Sequence, residues 1–159
     1  MFKSTLATLA LTMIFGISNG LKAEVHIKSA KDLHDADPYW GQGESDPYVY
    51  VYGVTNGGHQ DEYRTDYVNN DNSPEWHTTI HFNERSDYIK LKFKLYDSDY
   101  NIPKISSDDQ LGETKYIYLN DLDCDEWNYK SLTIYKDDDY KDIQGTLSVD
   151  IKPYECPQN

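Results

Sequence analysis

The chain has 159 residues, which is enough for one domain with a single hydrophobic core. Its formal net charge is −13, so it should be repelled by nucleic acid and by anionic lipid unless a cation reverses the local sign. Aromatic residues make up 14% of the chain, too many for a disordered acidic polymer, so the composition favours a folded acidic domain.

The first twenty residues differ in kind from the rest. A basic start precedes a mostly apolar run over residues 6–17, and small residues follow at the positions that a signal peptidase reads. This run is too short to span a bilayer. Residues 1–20 are therefore predicted to be a secretory signal peptide, with cleavage after Ala23 as a second choice and an uncleaved anchor or an internal helix as the alternative. We expect a single domain over residues 21–159, secreted, extracellular and monomeric.

Beyond the signal peptide the hydrophobic period is two, which is typical of strands with one buried and one solvated face. Leu91, Phe93 and Leu95 show it clearly, and the lysines between them are expected to form a solvated sheet surface. The eight predicted strands cover residues 24–30, 47–54, 60–68, 76–83, 88–96, 111–119, 127–135 and 144–153. Polar turns separate them, so the predicted fold class is all-β, an eight-stranded antiparallel β-sandwich.

Aspartates concentrate in the connections that follow the first, third, fifth and seventh predicted strands. The strands of a sandwich run from end to end, so these four connections should share one pole. Packing like charges together is costly unless a cation lies among them. Thiolates are absent from these loops and His34 is their one imidazole, so the pattern predicts a hard cation such as Ca²⁺ rather than zinc or copper.

The chain has two cysteines, Cys124 and Cys156. The first lies in the connection after the sixth predicted strand and the second follows the last strand, so both should lie at the pole opposite the aspartates. An even count in a secreted chain predicts a disulfide between them, and two free thiols are the alternative.

Several motifs, in order along the chain, resemble those of the C2 domain family. They are Ala-Lys-Asp-Leu at 30–33 with Ser-Asp-Pro-Tyr-Val at 45–49, Asn-Ser-Pro-Glu-Trp at 72–76, Tyr-Asp-Ser-Asp at 96–99 and Asp-Gln-Leu-Gly at 109–112. The extra strand that closes the chain resembles the type II topology of that fold. Trp40-Gly41 and the motif around Trp76 look closest to the extracellular C2 domains of perforins, without a pore-forming domain.

The resemblance implies specific roles for the residues of two loops. The implied Ca²⁺ ligands are Asp37 and Asp46 in the first loop and Asp97, Asp99 and Asp109 in the third. Both loops are longer than the family's pattern, so Asp35 is an alternative to Asp37 and Asp108 to Asp109. The large side chains at the loop tips, expected to contact the membrane, are Tyr39, Trp40, Tyr100 and Ile102.

The expected function is Ca²⁺-dependent docking of these loops on a phospholipid membrane surface, with another secreted protein as a further partner to consider. The alternative is a Ca²⁺-stabilised extracellular protein-interaction module that does not bind lipid. The sequence contains no nucleophile elbow, catalytic triad or zinc signature, so we do not expect an enzyme. Its charge gives no reason to expect a nucleic-acid partner.

Overall fold

The alternating sequence forms antiparallel strands. A computed structural model describes residues 21–34, 44–98 and 108–156 of the chain. The strands in these ranges are β1 (Lys22–Lys31), β2 (Pro47–Thr55), β3 (Gln60–Arg64), β4 (Glu75–Phe82), β5 (Tyr88–Asp97), β6 (Asp109–Glu113), β7 (Ile117–Tyr118), β8 (Asn128–Tyr135) and β9 (Ile143–Tyr154). Within the same ranges the helical structure is one 3₁₀ turn, Leu119–Asp121, and no helix there is long and apolar enough to cross a membrane.

The strands follow the path β3-β2-β5-β6-β8-β9-β1-β4, and β7 pairs with β5. One residue pair, Glu113 with Tyr135, joins β6 to β8, so the path divides there into two layers of four strands. The layers meet across the core, because Phe82 of β4 packs edge-on against Tyr63 of β3 with ring centroids 5.1 Å apart. The predicted antiparallel β-sandwich is therefore confirmed.

The core consists of the alternate side chains that the period of two predicted. Its fully buried members include Val25, Ile27, Val49, Leu91, Phe93, Leu95, Ile134, Leu147 and Ile151. Burying each such side chain contributes about 1.5–3 kcal/mol. Gly53 on β2 makes room for the largest rings, since a Cβ at that position would overlap the Phe82 side chain.

The strand registers place the aspartate-bearing connections at one pole. The end of β1 lies beside the start of β9, where Lys31 is opposite Thr146. The end of β5 lies between the starts of β2 and β6, because Asp97 is opposite both Pro47 and Asp109. This is the grouping that the alternation of strand directions predicted.

Two predicted strands end early, and a buried threonine explains each case. The predicted third strand, 60–68, stops at Arg64, and the predicted sixth, 111–119, divides into β6 and β7. The Thr65 N–H donates to Val49 O at 3.0 Å, while its Oγ1 accepts the Val49 N–H at 3.1 Å. Thr114 bonds Phe93 in the same way, at 2.9 and 3.2 Å. In each case the threonine hydroxyl accepts the N–H that a carbonyl of the neighbouring strand would otherwise accept. The strand can therefore end without leaving the Val49 or Phe93 N–H unpaired.

The predicted disulfide is present between Cys124 and Cys156 at the opposite pole. Their Cα atoms are 6.3 Å apart, within the usual range for a bridge. The neighbouring Asp125 N–H donates to Pro153 O at 2.8 Å, so a backbone hydrogen bond supports the same contact. The bridge ties the connection after β7 to the end of β9.

Replacing both cysteines, Cys124→Ser with Cys156→Ser, should lower the free energy of unfolding by about 3–4 kcal/mol, because a closed loop of this length restricts the unfolded chain. The urea midpoint of the variant against the oxidised wild type measures this. Reducing agent should shift the wild type to the same midpoint and leave the variant unchanged. Equal midpoints for the variant and the oxidised protein would contradict the stabilising role.

Candidate functional site

Asp97 ends the inward-facing row of β5. Leu91, Phe93 and Leu95 point into the core, and the period of two places Asp97 on the same side, at the top of the sandwich. The residue is only 2% exposed. A carboxylate in this position must find hydrogen bonds or a cation, because burying an uncompensated charge is strongly unfavourable.

The backbone of Asp46, the residue before β2, makes two hydrogen bonds to the end of β5. Its N–H donates to Asp97 Oδ1 at 2.6 Å, and its carbonyl accepts the Ser98 N–H at 3.1 Å. These bonds hold the end of the first loop against the start of the third. The sequence pair Asp46-Pro47 therefore sits beside Asp97 through the register of β2 with β5.

Asp109 lies directly opposite Asp97 in the ladder between β5 and β6, and residues in that relation share a face of the sheet. The aspartates Asp46, Asp97 and Asp109 thus come from three adjacent strand ends.

Asp108 has a different neighbour, since its Oδ2 accepts the Tyr48 hydroxyl at 2.6 Å. Burial first, and then that bond to Asp108, raise the pKa of Tyr48.

The electrostatics of Asp97 follow from its surroundings. Burial raises its pKa, and the negative charges of Asp46 and Asp109 add to that effect. The Asp46 N–H and the Ser45 side chain oppose the rise but do not cancel it. Among the described residues, none of the ion pairs includes Asp46, Asp97 or Asp109. Within residues 21–34, 44–98 and 108–156, no cationic side chain is therefore paired with these three carboxylates.

The second loop of the pole contributes backbone donors that the sequence did not predict. The Asn70 N–H donates to Asp46 Oδ1 at 2.7 Å, and the Asn72 N–H donates to Glu44 Oε2 at 3.1 Å. Asn70 adopts a left-handed φ of 49°, which asparagine tolerates better than most residues. The polar run over residues 69–74 predicts a turn there, but it does not indicate which N–H groups will face Asp46 or Glu44. The Asn70 bond holds the Asp46 carboxylate against this loop, and the Asn72 bond holds Glu44 there.

Trp76, from a motif that the family resemblance used, secures the start of β2. Its Nε1–H donates to Pro47 O at 3.3 Å from the facing layer.

The fourth connection, between β8 and β9, lies at the same pole, but its Asp139 carboxylate pairs with Lys141 at 2.7 Å. Asp139 is therefore neutralised locally.

The structure brings together Asp46, Asp97 and Asp109 of the predicted ligands. The other predicted site residues, which lie outside the described part of the chain, are Asp35, Asp37, Tyr39, Trp40, Asp99, Tyr100 and Ile102. Within residues 21–34, 44–98 and 108–156, no group of three or more Asp, Glu, His or Cys side chains is arranged to hold a metal ion. Asp46, Asp97 and Asp109 offer carboxylate oxygens, which are the ligands that Ca²⁺ prefers. They fit Ca²⁺ as part of a ligand set, and the remaining ligands are expected from the adjoining loops.

Comparison with known proteins identifies the fold. The family model described as C2 domain matches residues 21–128. No curated protein matches the sequence. A C2 domain of plant Extended Synaptotagmin 1 is 19% identical, with a TM-score of 0.68 over 89% of this chain and 98% of that one.

Two further structures share the fold over parts of larger proteins. The paired C2 domains of Extended-Synaptotagmin 2, calcium bound, are 22% identical with a TM-score of 0.62, over 86% of this chain and 46% of that one. Human GIVD cytosolic phospholipase A2 is 19% identical with a TM-score of 0.64, over 89% of this chain and 17% of the enzyme.

At these identities the solved structures establish the fold alone, and the closer likeness to perforin C2 domains stays a prediction. The family model, by contrast, covers more than half of the sequence. It spans β1 to the beginning of β8 and includes the Asp46, Asp97 and Asp109 positions. This chain belongs to the C2 domain family, whose members are binding modules.

Proposed function

We propose that this protein is a secreted C2 domain that binds Ca²⁺ and then docks on phospholipid membranes through its aspartate-rich loops. The observation that carries the proposal is the buried Asp97 carboxylate, flanked by Asp46 and Asp109 and paired with no cationic side chain of the described residues. We further propose that the chain has no catalytic activity of its own, as expected for a binding module.

Asp46, Asp97 and Asp109 would hold the ion together with Asp37 and Asp99 of the adjoining loops. When bound, Ca²⁺ supplies positive charge and open coordination positions that a lipid phosphate can occupy. The chain's own contribution is to fix the carboxylates before the ion arrives. The Asp46 N–H orients the Asp97 carboxylate, and the Asn70 N–H orients the Asp46 carboxylate. The two carboxylates are therefore held by backbone N–H groups rather than by mobile side chains.

Two further considerations support the proposal. The related C2 domains of Extended-Synaptotagmin 2 are described as calcium bound. Extracellular modules bind Ca²⁺ with Kd values of about 0.1–1 mM, so even a weak site would fill outside the cell. Neutralising the pole would also remove the repulsion between this acidic chain and anionic lipid, after which Tyr39, Trp40, Tyr100 and Ile102 could enter the interfacial region.

Asp97→Asn should remove the destabilising buried charge and the Ca²⁺ ligand together. Because the pKa of Asp97 is raised in the folded protein, the wild type loses stability as pH rises through that pKa. The neutral isostere should therefore melt at the same or a higher temperature than the wild type in chelator at neutral pH. Ca²⁺ at about a hundredfold its Kd should stabilise the wild type by about 2.7 kcal/mol, or roughly 5–10 °C, and this shift should vanish in the variant.

Asp138→Asn removes one charge from an exposed turn at the same pole and serves as the matched control in these melts. It should retain the full Ca²⁺-dependent shift. Retention of that shift in Asp97→Asn would contradict the assignment of Asp97 as a ligand.

Membrane docking is tested by sedimentation with vesicles of phosphatidylserine and phosphatidylcholine. We expect the protein to pellet with the vesicles at millimolar Ca²⁺, to stay in the supernatant in chelator, and to lose binding on Trp40→Ala with Ile102→Ala. Equal pelleting in chelator would exclude the Ca²⁺ requirement. A Ca²⁺-dependent thermal shift without pelleting would instead identify a Ca²⁺-stabilised protein-interaction module.

A further inference from the structure

One edge of the β8-β9-β1-β4 layer is open along β8. β8 pairs with β9 on one side, and on its other side the described residues pair with it at Tyr135 alone, opposite Glu113 of β6. The two strands touch there, since a Cβ at Gly112 would lie 2.6 Å from Tyr135 O. In the part of the chain that the structure describes, no strand pairs with residues 128–134 of β8 on the side away from β9. The backbone edge of β8 is therefore available to a partner.

A groove of about 230 Å³ lies between this edge and the segment that leads into β7. Its walls are residues 114–117 on one side and residues 131–133 with Tyr135 on the other. Ile117 and Leu132, one from each wall, are partly buried and pack against the core. The groove is smaller than the roughly 300–1,000 Å³ of a small-molecule pocket. We call it the β8 groove; its size and apolar floor suit the side chains of an extended chain lying along β8.

The strands at the two ends of the path, β3 and β4, are protected against pairing in ways that β8 is not. β3 has only five residues, and three of them are charged, which discourages edge-to-edge pairing. β4 contains the left-handed His77, with a φ of 50°, and its register with β1 shifts across this residue. Such an irregularity turns an edge away from a partner. β8 keeps one register with β9 over residues 128–134, and Lys130 is its single charged residue.

Exposed aromatic side chains flank the β8 groove. Tyr116 and Tyr118 lie directly before and within β7, and Trp127 and Tyr129 lie directly before and within β8. Tyr129 is 72% exposed. These side chains are most of the large exposed hydrophobic ones in the described ranges. Tyrosine and tryptophan are enriched in protein–protein interfaces, so this concentration indicates a surface that binds protein.

The connection that enters β8 gives the groove an acidic end. Its exposed carboxylates are Asp121, Asp123, Asp125 and Glu126. None of the ion pairs among the described residues includes them. At the other end of β8, Lys136 directly precedes Asp137 and Asp138, so opposite charges partly offset each other there. A partner strand therefore gains most from positive charge at the Asn128 end.

We propose that the β8 groove binds an extended segment of another protein, which adds to the sheet as an antiparallel strand. The backbone of this segment pairs with the open edge of β8, the mode known as strand addition. Its alternate side chains are apolar and cover Ile117 and Leu132. Antiparallel pairing places the C-terminal end of the segment beside Asn128, so that end carries lysine or arginine to meet the acidic connection.

A second copy of this chain fits the open edge less well. In an antiparallel pair of β8 strands, the residues after Tyr135 of one copy would lie beside the acidic connection of the other. Those residues are Lys136 and then three aspartates, residues 137–139, so carboxylates would meet carboxylates. Each copy also carries a net charge of −13. A basic partner is thus favoured over self-association.

The probe is a fluorescent peptide with blocked termini, Val-Thr-Val-Thr-Val-Thr-Lys-Lys, titrated with the protein in EDTA. We expect saturable binding by fluorescence anisotropy. Two N-methylated forms test the backbone pairing, one methylated at its second and fourth residues and the other at its third and fifth, because these N–H groups lie on opposite edges of an extended peptide. One form should bind like the unmodified peptide, and the other at least about tenfold more weakly, the loss of one or two hydrogen bonds.

The acidic end of the groove is tested by Asp123→Asn with Glu126→Gln. This variant should bind the peptide about fivefold more weakly, because two exposed ion pairs of the complex are lost. The matched control removes two exposed carboxylates on and beyond β3, Glu62→Gln with Asp66→Asn. It changes the net charge equally and should stay within about twofold of the wild type.

The proposal is overturned if the peptide shows no saturable binding in EDTA, or if the two methylated forms bind equally. An equal loss in the two carboxylate variants would also overturn it, because that result indicates non-specific attraction to the net charge. Dimerisation of the wild type in sedimentation, reversed by the peptide, would assign the groove to a second copy instead. Since Ca²⁺ is absent, each failure leaves unaffected the Ca²⁺ site proposed at the acidic pole, the end of the sandwich that holds Asp46, Asp97 and Asp109.

Discussion

The hydrogen bond from the Asp46 N–H to Asp97 is the contact on which the acidic pole depends. It joins the start of β2 to the end of β5 and turns a buried carboxylate toward its neighbours. The bond satisfies only part of the Asp97 carboxylate, because Asp46 and Asp109 add negative charge around it. A fold that keeps such a group buried loses stability unless a cation offsets the charge. This cost is the physical reason to regard the pole as a binding site rather than as a solvated turn.

Strand β5 links the acidic pole to the outer face of its layer. Its inward residues end in Asp97, while its outward residues are Lys90, Lys92 and Lys94. The period of two therefore separates opposite charges onto opposite sides of one strand. Under the proposed function, the acidic pole needs Ca²⁺ before it can meet an anionic surface.

The sequence predicted features that follow from local periodicity and strand direction. Alternation at Leu91, Phe93 and Leu95 located β5, and the count of strands placed Cys124 beside Cys156. Two features escaped because they depend on contacts between distant residues. Thr65 and Thr114 interrupt strands by bonding Val49 and Phe93, and nothing in a local pattern indicates which threonine will do so. The Asn70 contact with Asp46 is of the same kind. The predicted Asp37 and Asp99 stay predictions, since they lie outside the described residues.

The most direct measurement of the central claim is a Ca²⁺ titration followed by amide NMR spectra. The titration should reach about ten times the millimolar Kd of the weakest extracellular modules. The account predicts saturable shifts at the amides of Asp46, Asn70 and Ser98, which surround the carboxylates, and none at Asp125 beside the disulfide. Absence of saturable shifts at the first three, or equal shifts at both poles, would contradict a Ca²⁺ site built on Asp97.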